Sequence, residues 1–248
     1  MLKEGIDMKL QYLGDSRDSF KWDYHDYLTA LLDYPLLNVA FMMTPDDNNN
    51  HGNTNPKRFP ARQEIINFCN NLRTERDERK LSERFNQGYI EEVSSELFEL
   101  IGRLPTTTGS RYSVDLHKGA KRFTNINRME YFSDIHGECR QVLFLDPDNG
   151  FEPTGISDKH ISYSDIESML QQISEKAVIS VFQYFRFKSF LDDYNHIKQR
   201  LMSGYSTAIY THSVSVMFVA ISKSEKTIDK VRYVNIQYKQ NRPVEIIQ

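Results

Sequence analysis

The chain has 248 residues, with 31 Lys plus Arg against 34 Asp plus Glu, a net charge of −3. That length suits one domain with a sizeable core, and the charge gives no global electrostatic drive toward nucleic acid or a membrane surface, leaving only a local basic patch. The 2 cysteines, Cys69 and Cys139, make neither a disulfide framework nor a zinc set. No apolar run approaches membrane-spanning length and the N-terminus lacks a signal peptide's apolar core, so a soluble, cytoplasmic protein with no membrane partner is expected.

In chain order, Asp15 is placed to cap a helix over residues 16–33, where Phe20, Tyr24, Tyr27, Leu28, Leu31 and Leu32 recur at helical spacing. Asp15, Asp18 and Lys21 are spaced by three and share one stripe. The ordinary reading is a solvated charge ladder; the alternative is contact with a phosphate or a substrate. Trp22 reads as packing. Residues 36–43 form an apolar run that predicts a buried strand, ending in Thr44-Pro45-Asp46-Asp47 and an Asn-rich polar loop near 44–60 that contains His51.

Residues 60–84 read as helix, with the mixed-sign run 73–80 on a solvated face, and residues 90–103 as a further helix. Residues 105–128 read as a basic loop or insertion, in which Arg111, Lys118, Lys121 and Arg122 interleave with Tyr112 and Phe123. That pattern suits a nucleic-acid backbone or an ordinary exposed hairpin. No P-loop spacing occurs.

Val142 to Leu145 predict a second buried strand, after which the polarity reverses at Asp146-Pro147-Asp148-Asn149-Gly150. A Ser162- or Ser164-capped helix through Ile173, a strand over 177–184 ending in Gln183-Tyr184-Phe185-Arg186, and a helix over 189–202 follow. Residues 206–222 read as one bent strand or two strands meeting at His212-Ser213, and the alternation of 231–238 reads as an edge strand. The order predicts an α/β fold: a central, mostly parallel sheet with helices on both faces, in a single domain spanning 1–248.

In such sheets ligands bind beyond the carboxyl ends of the strands. Those ends present Asp46 and Asp47; Asp146, Asp148 and Asn149; Gln183, Tyr184 and Phe185; His212 and Ser213. Carboxylates activate water or stabilise a developing cation, a histidine stabilises a leaving anion, and amides and rings read and stack a base. The set needs neither metal nor organic cofactor and fits hydrolysis of an N-glycosidic bond. Asp46, Asp47, His212 and Asp146 are then the catalytic candidates. Asp148, Asn149, Gln183, Tyr184, Phe185 and Ser213 are candidates to hold the substrate. Lys21, Arg111, Lys118, Lys121 and Arg122 are candidates for the backbone of a DNA partner. A Mg²⁺ nuclease using Asp46, Asp47, Asp146 and Asp148 is a separate possibility.

Gly14-Asp15-x-x-Asp18-x-x-Lys21, Thr44-Pro-Asp-Asp47, Leu145-Asp-Pro-Asp-Asn-Gly150 and Thr211-His-Ser213 together resemble a bacterial family of α/β proteins without an assigned activity. Pro45-Asp46-Asp47 and His212-Ser213 resemble, in their order, the water-activating and His-Pro-Ser loops of the uracil-DNA-glycosylase superfamily. That resemblance implies base excision, for instance of a modified cytosine in phage defence, although the second motif lacks its Pro. Asp15-x-x-Asp18-x-x-Lys21 and Asp146-Pro-Asp-Asn149 are similar in spacing to motifs of ribosomal-RNA adenine-N6 methyltransferases. This implies S-adenosylmethionine-dependent methylation, or a non-catalytic nucleic-acid-binding relative. The departures are Asp148-Asn149 in place of Pro-Tyr, and no glycine-rich turn after the first strand.

Overall fold

Helix α1, Ser16–Leu31, is the piece on which the fold is assembled. The chain enters it through Gly14, whose φ of +82° and tight approach to Cys69 and Arg73 leave no room for a Cβ. Asp15 caps the helix, its Oδ1 accepting from the backbone N–H of Arg17 (2.8 Å) and Asp18 (3.1 Å). Asp33, in the left-handed region at φ 54°, turns the chain out of the helix, with Pro35 just beyond. In a computed structural model the described residues are 10–44, 54–117, 127–133, 135, 140–153, 155, 157–186 and 189–248.

Strand β1 (Leu36–Phe41) follows, then α2 (Gln63–Glu78), α3 (Leu81–Asn86), α4 (Ile90–Gly102), α5 (Leu104–Thr108) and β2 (Ser113–Leu116). Next come α6 (Arg128–Ser133), β3 (Gln141–Asp146), the short β4 (Gly150–Phe151) and β5 (His160–Ile161), and α7 (Tyr163–Gln172). The chain continues through β6 (Val178–Tyr184), α8 (Phe190–Arg200), β7 (Tyr205–Thr211), β8 (Val216–Ser222), α9 (Glu225–Lys239) and β9 (Glu245–Ile247).

The central sheet has 7 strands in the order β2-β1-β3-β6-β8-β7-β9. β2, β1, β3 and β6 pair in parallel; β8 opposes β6 and β7, and β9 opposes β7. All strands but β8 and β9 therefore run one way, and the expected mostly parallel α/β sheet is what forms. β3 lies between parallel neighbours and is buried along its whole length, which is why it reads as an unbroken apolar run. Val142 and Phe144 pack with residues of α1, α2, α4 and α9, while Leu143 and Leu145 pack with α6, α7 and α8. Helices thus cover both faces. Trp22 sits edge-on to Phe41, Phe68 and Phe144 in the first of these cores, so it packs as expected.

α1 is unusual in burying charges on its flank as well as apolar groups. Asp23 accepts from Arg62 Nε (2.6 Å), Arg242 Nε (2.7 Å) and Tyr238 OH (2.8 Å). Asp26 accepts from Arg62 Nη2, Thr108, Ser110 and Tyr112 at 2.7–2.8 Å. Both carboxylates are fully buried and their oxygens occupied, the condition under which buried charge is tolerated.

Four expectations are corrected. Residues 231–238 are helix, not an edge strand: Ile228, Val231, Val234 and Tyr238 point inward at helical spacing, while Tyr233 and Ile236 are exposed. The helix expected over 60–84 breaks at Lys80, whose φ is 52°. The stretch from 105, expected to be a basic loop or insertion, contains most of α5 and the whole of β2. The run 73–80 is not wholly solvated, because Arg76 is buried and donates to the carbonyls of Gln11 and Leu13.

Candidate functional site

The chain leaves β1 in one direction to reach β2 and returns on its other side as β3. The β1–β3 boundary is therefore a topological switch point, where open α/β sheets form their crevice beyond the strand ends. β1 runs out toward Thr44 and β3 into Asp146-Pro147-Asp148-Asn149. Thr44 Oγ1 donates to Asp148 Oδ2 at 2.5 Å and ties the two ends together. The N-terminal turn of α1 meets the same edge of the sheet.

There Lys21 Nζ lies 2.7 Å from Asp146 Oδ2 and 2.7 Å from Asp18 Oδ1, with its side chain only 3% exposed. Trp22, Phe144 and Phe182 surround the ammonium at 5.8–5.9 Å from their ring centroids. Asp18 Oδ2 also accepts from the N–H of Gly14 at 2.7 Å. Burial works against the Lys21 charge, but Asp146 and Asp18 outweigh it and hold the ammonium above its ordinary pKa. Burial pushes Asp146 up to about 6, with Lys21 opposing. Asp15 is pushed up to about 7, first by burial and then by Asp18, against the pull of Arg17 and two backbone N–H groups. Its second oxygen, Oδ2, is buried without a hydrogen-bond partner. The strand boundary therefore holds a buried, fixed cation paired with Asp146, and near it on α1 a second carboxyl, Asp15, both raised toward neutral pH by burial.

One turn deeper, His25 Nδ1 donates to the Lys21 carbonyl (2.7 Å), and Nε2, left as acceptor, receives Ser180 Oγ (2.9 Å). Burial lowers its pKa to about 3, so the ring is neutral.

Of the residues expected at the site, Asp146, Asp148 and Asn149 stand at the crevice, Asn149 half-buried and the two carboxylates buried. Gln183 stands beside them but is consumed by the fold. Its Oε1 accepts from Phe151 N (2.9 Å), and its Nε2 donates to the Tyr184 carbonyl (2.9 Å) and Asp193 (3.2 Å). Gly150, at φ +95°, is demanded by this contact: a Cβ there would collide with Gln183 Oε1 and stand 2.9 Å from its Cα. Tyr184 is half-buried under the Arg17 guanidinium, and Phe185 packs on Phe190.

His212 and Ser213 lie in the β7–β8 turn, His212 exposed against Tyr210 and Phe190. The turn joins β7, three strand spacings (about 14 Å) from β3, to β8, two spacings away, so His212, which follows β7 directly, stands at the far side. Arg111 is exposed ahead of β2, at the opposite edge of the sheet. Lys21 is corrected from a surface contact to a buried ion pair, because two carboxylates already occupy it. Asp46, Asp47, Lys118, Lys121 and Arg122 lie outside the described residues. Within those residues, no group of three or more His, Cys, Asp or Glu side chains is placed to hold a metal ion, and no helix is long and apolar enough to cross a membrane. Asp15 and Asp18, absent from the expected site residues and read first as a solvated ladder, lie with Lys21 at the site; their signals in the sequence were the common stripe and the Gly14-Asp15-x-x-Asp18-x-x-Lys21 motif.

No known protein family matches the chain, and no curated protein matches its sequence.

Proposed function

We propose that the protein is a DNA glycosylase-like hydrolase whose reaction centre is the β1–β3 crevice. The observation that carries this reading is Asp146, raised to about 6 and 2.7 Å from the Lys21 ammonium at the switch point of the sheet, with Asp15, raised to about 7, capping the helix that carries Lys21. Hydrolysis of an N-glycosidic bond breaks the bond from C1′ to the base nitrogen. The electron pair leaves with the base, positive charge develops on the sugar, and a water oxygen bonds to C1′ after losing a proton. One ionised carboxylate stabilises the cation or takes the water's proton, and one protonated carboxyl supplies a proton to the departing base. The target nucleotide must first leave the stack. A modified base found only in foreign DNA would make the activity a defence.

The test is incubation with unmodified and modified single- and double-stranded DNA in EDTA, followed by an assay for abasic sites. Abasic sites that fail to appear with Asp146→Asn are the expected result. The Asp146-Pro-Asp-Asn149 position directly beyond β3 also supports the methyltransferase-like alternative. Calorimetric binding of S-adenosylmethionine, with no abasic sites, would favour that second reading.

A further inference from the structure

The half-buried arginines divide into two groups. From Arg62 to Arg242, nearly all have a carboxylate within 4 Å. Among the described residues Arg17, Arg73 and Arg186 are the exceptions, and all three gather at the edge of the sheet that carries the crevice. Arg17 is the second residue of α1, with its guanidinium 5.0 Å from the Tyr184 ring centroid and no hydrogen bond of its own in the fold. Arg73 reaches from α2 to the Thr54 carbonyl at 3.3 Å, and Thr54 Oγ1 meets Ser16 Oγ of α1 at 2.6 Å. Arg186, two residues past the end of β6, is held by neutral acceptors, the Phe151 carbonyl and Gln183 Oε1. Contacts therefore link Arg73, the start of α1, Arg17, Tyr184 and Arg186 into one arc.

Keeping a guanidinium partly out of water with no carboxylate in direct contact is costly, and an arriving anion relieves that cost. Burial lowers the pKa of Arg186, and Asp193, beyond ion-pair distance, offsets this only in part. The α1 N-terminus adds its own positive end at the same place. A protein of net charge −3 has no general excess of cations to scatter here.

We propose that Arg17, Arg73 and Arg186 form a subsite for successive phosphates of a DNA strand, with Tyr184 offering a ring to an adjoining base. This rests on the reading of the crevice as a base-excising centre and supplies the track that would deliver the strand to it. Three phosphate contacts on a single strand should contribute about 2 to the slope of log K against log salt.

The test is fluorescence anisotropy with labelled single-stranded DNA over a range of salt, on the full chain. The triple variant Arg17→Gln/Arg73→Gln/Arg186→Gln should lose about 2 from that slope and at least roughly tenfold in low-salt affinity. Arg186 also holds the backbone of β4, so Arg17→Gln/Arg73→Gln, with an expected loss of about 1.4, serves if the triple variant fails to fold. A folded variant that keeps the wild-type slope overturns the subsite, as does a wild-type protein that binds no DNA. Excision is scored separately. A slope that falls while no substrate yields abasic sites supports the subsite and removes the glycosylase, and excision with an unmoved slope does the reverse.

Discussion

Lys21 Nζ and Asp146 Oδ2 stand 2.7 Å apart across 125 residues of chain, joining the first turns of α1 to the end of β3. This ion pair sets the geometry of the crevice. It also fixes α1 against the sheet, so the site and the packing of the central helix share their anchor. Removing one partner of such a buried pair leaves the other charge without compensation.

Lys21→Met should therefore destabilise the protein by about 3–5 kcal/mol in urea denaturation at pH 8. The loss should shrink at pH 5, where the stranded Asp146, already raised by burial, can take up a proton, and Lys21→Met/Asp146→Asn should recover part of it. A single variant as stable as wild type at pH 8 would show that the pair does not hold α1 in place.

Asp15→Asn should move stability and activity in opposite directions. Asn keeps the capping oxygen, so the helix start is preserved. Asp15 titrates at about 7 in the fold and near 3.8 unfolded, so the native state holds the extra proton between those values. Its contribution is fully present below pH 3.8 and is lost as pH rises through 7. The Asn variant should gain roughly 1 kcal/mol or more over wild type at pH 8 and little at pH 4. Excision should fall roughly a hundredfold, as for a lost acid–base group. A variant less stable at pH 8 than wild type would contradict the buried, raised carboxyl.

His25 works in the other sense. Its folded pKa of about 3 lies below the ordinary 6.5, so the stability it contributes is present above pH 6.5 and is lost as pH falls toward 3. Ring ¹⁵N spectra should show a neutral imidazole protonated on Nδ1 from pH 8 down to pH 5. A titration midpoint near 6.5 would mean that the ring is not sealed between α1 and β6.

Gly150→Ala should lower the melting temperature, and Gln183→Ala should not rescue it. The collision with Oε1 disappears in the double variant, but the 2.9 Å approach to the Gln183 Cα and the positive φ remain. Full recovery in the double variant would place the strain in the amide alone.

The elements that position the crevice were legible because their signals are local. Asp15 before a helical apolar stripe, and four apolar residues ending in Asp-Pro-Asp-Asn, need no partner to be read. What the stripe Asp15, Asp18, Lys21 faces was not legible, since charges at a spacing of three look alike whether water or Asp146 lies opposite. α9 misled because Val231, Tyr233, Val234 and Ile236 are residues that favour strands, while Tyr233 and Ile236 are in fact exposed on a helix. The distance between His212 and the β3 end depends on β8 pairing between β6 and β7, a long-range choice that the order of elements does not announce.

The most direct test of the central claim is single-turnover formation of abasic sites by wild type and Asp146→Asn on the same panel of modified and unmodified DNA. The crevice reading expects abasic sites from wild type on at least one substrate and a rate roughly a hundredfold lower or more for folded Asp146→Asn. A folded Asp146→Asn protein that excises at the wild-type rate, or a wild-type protein that leaves every substrate intact, would contradict it.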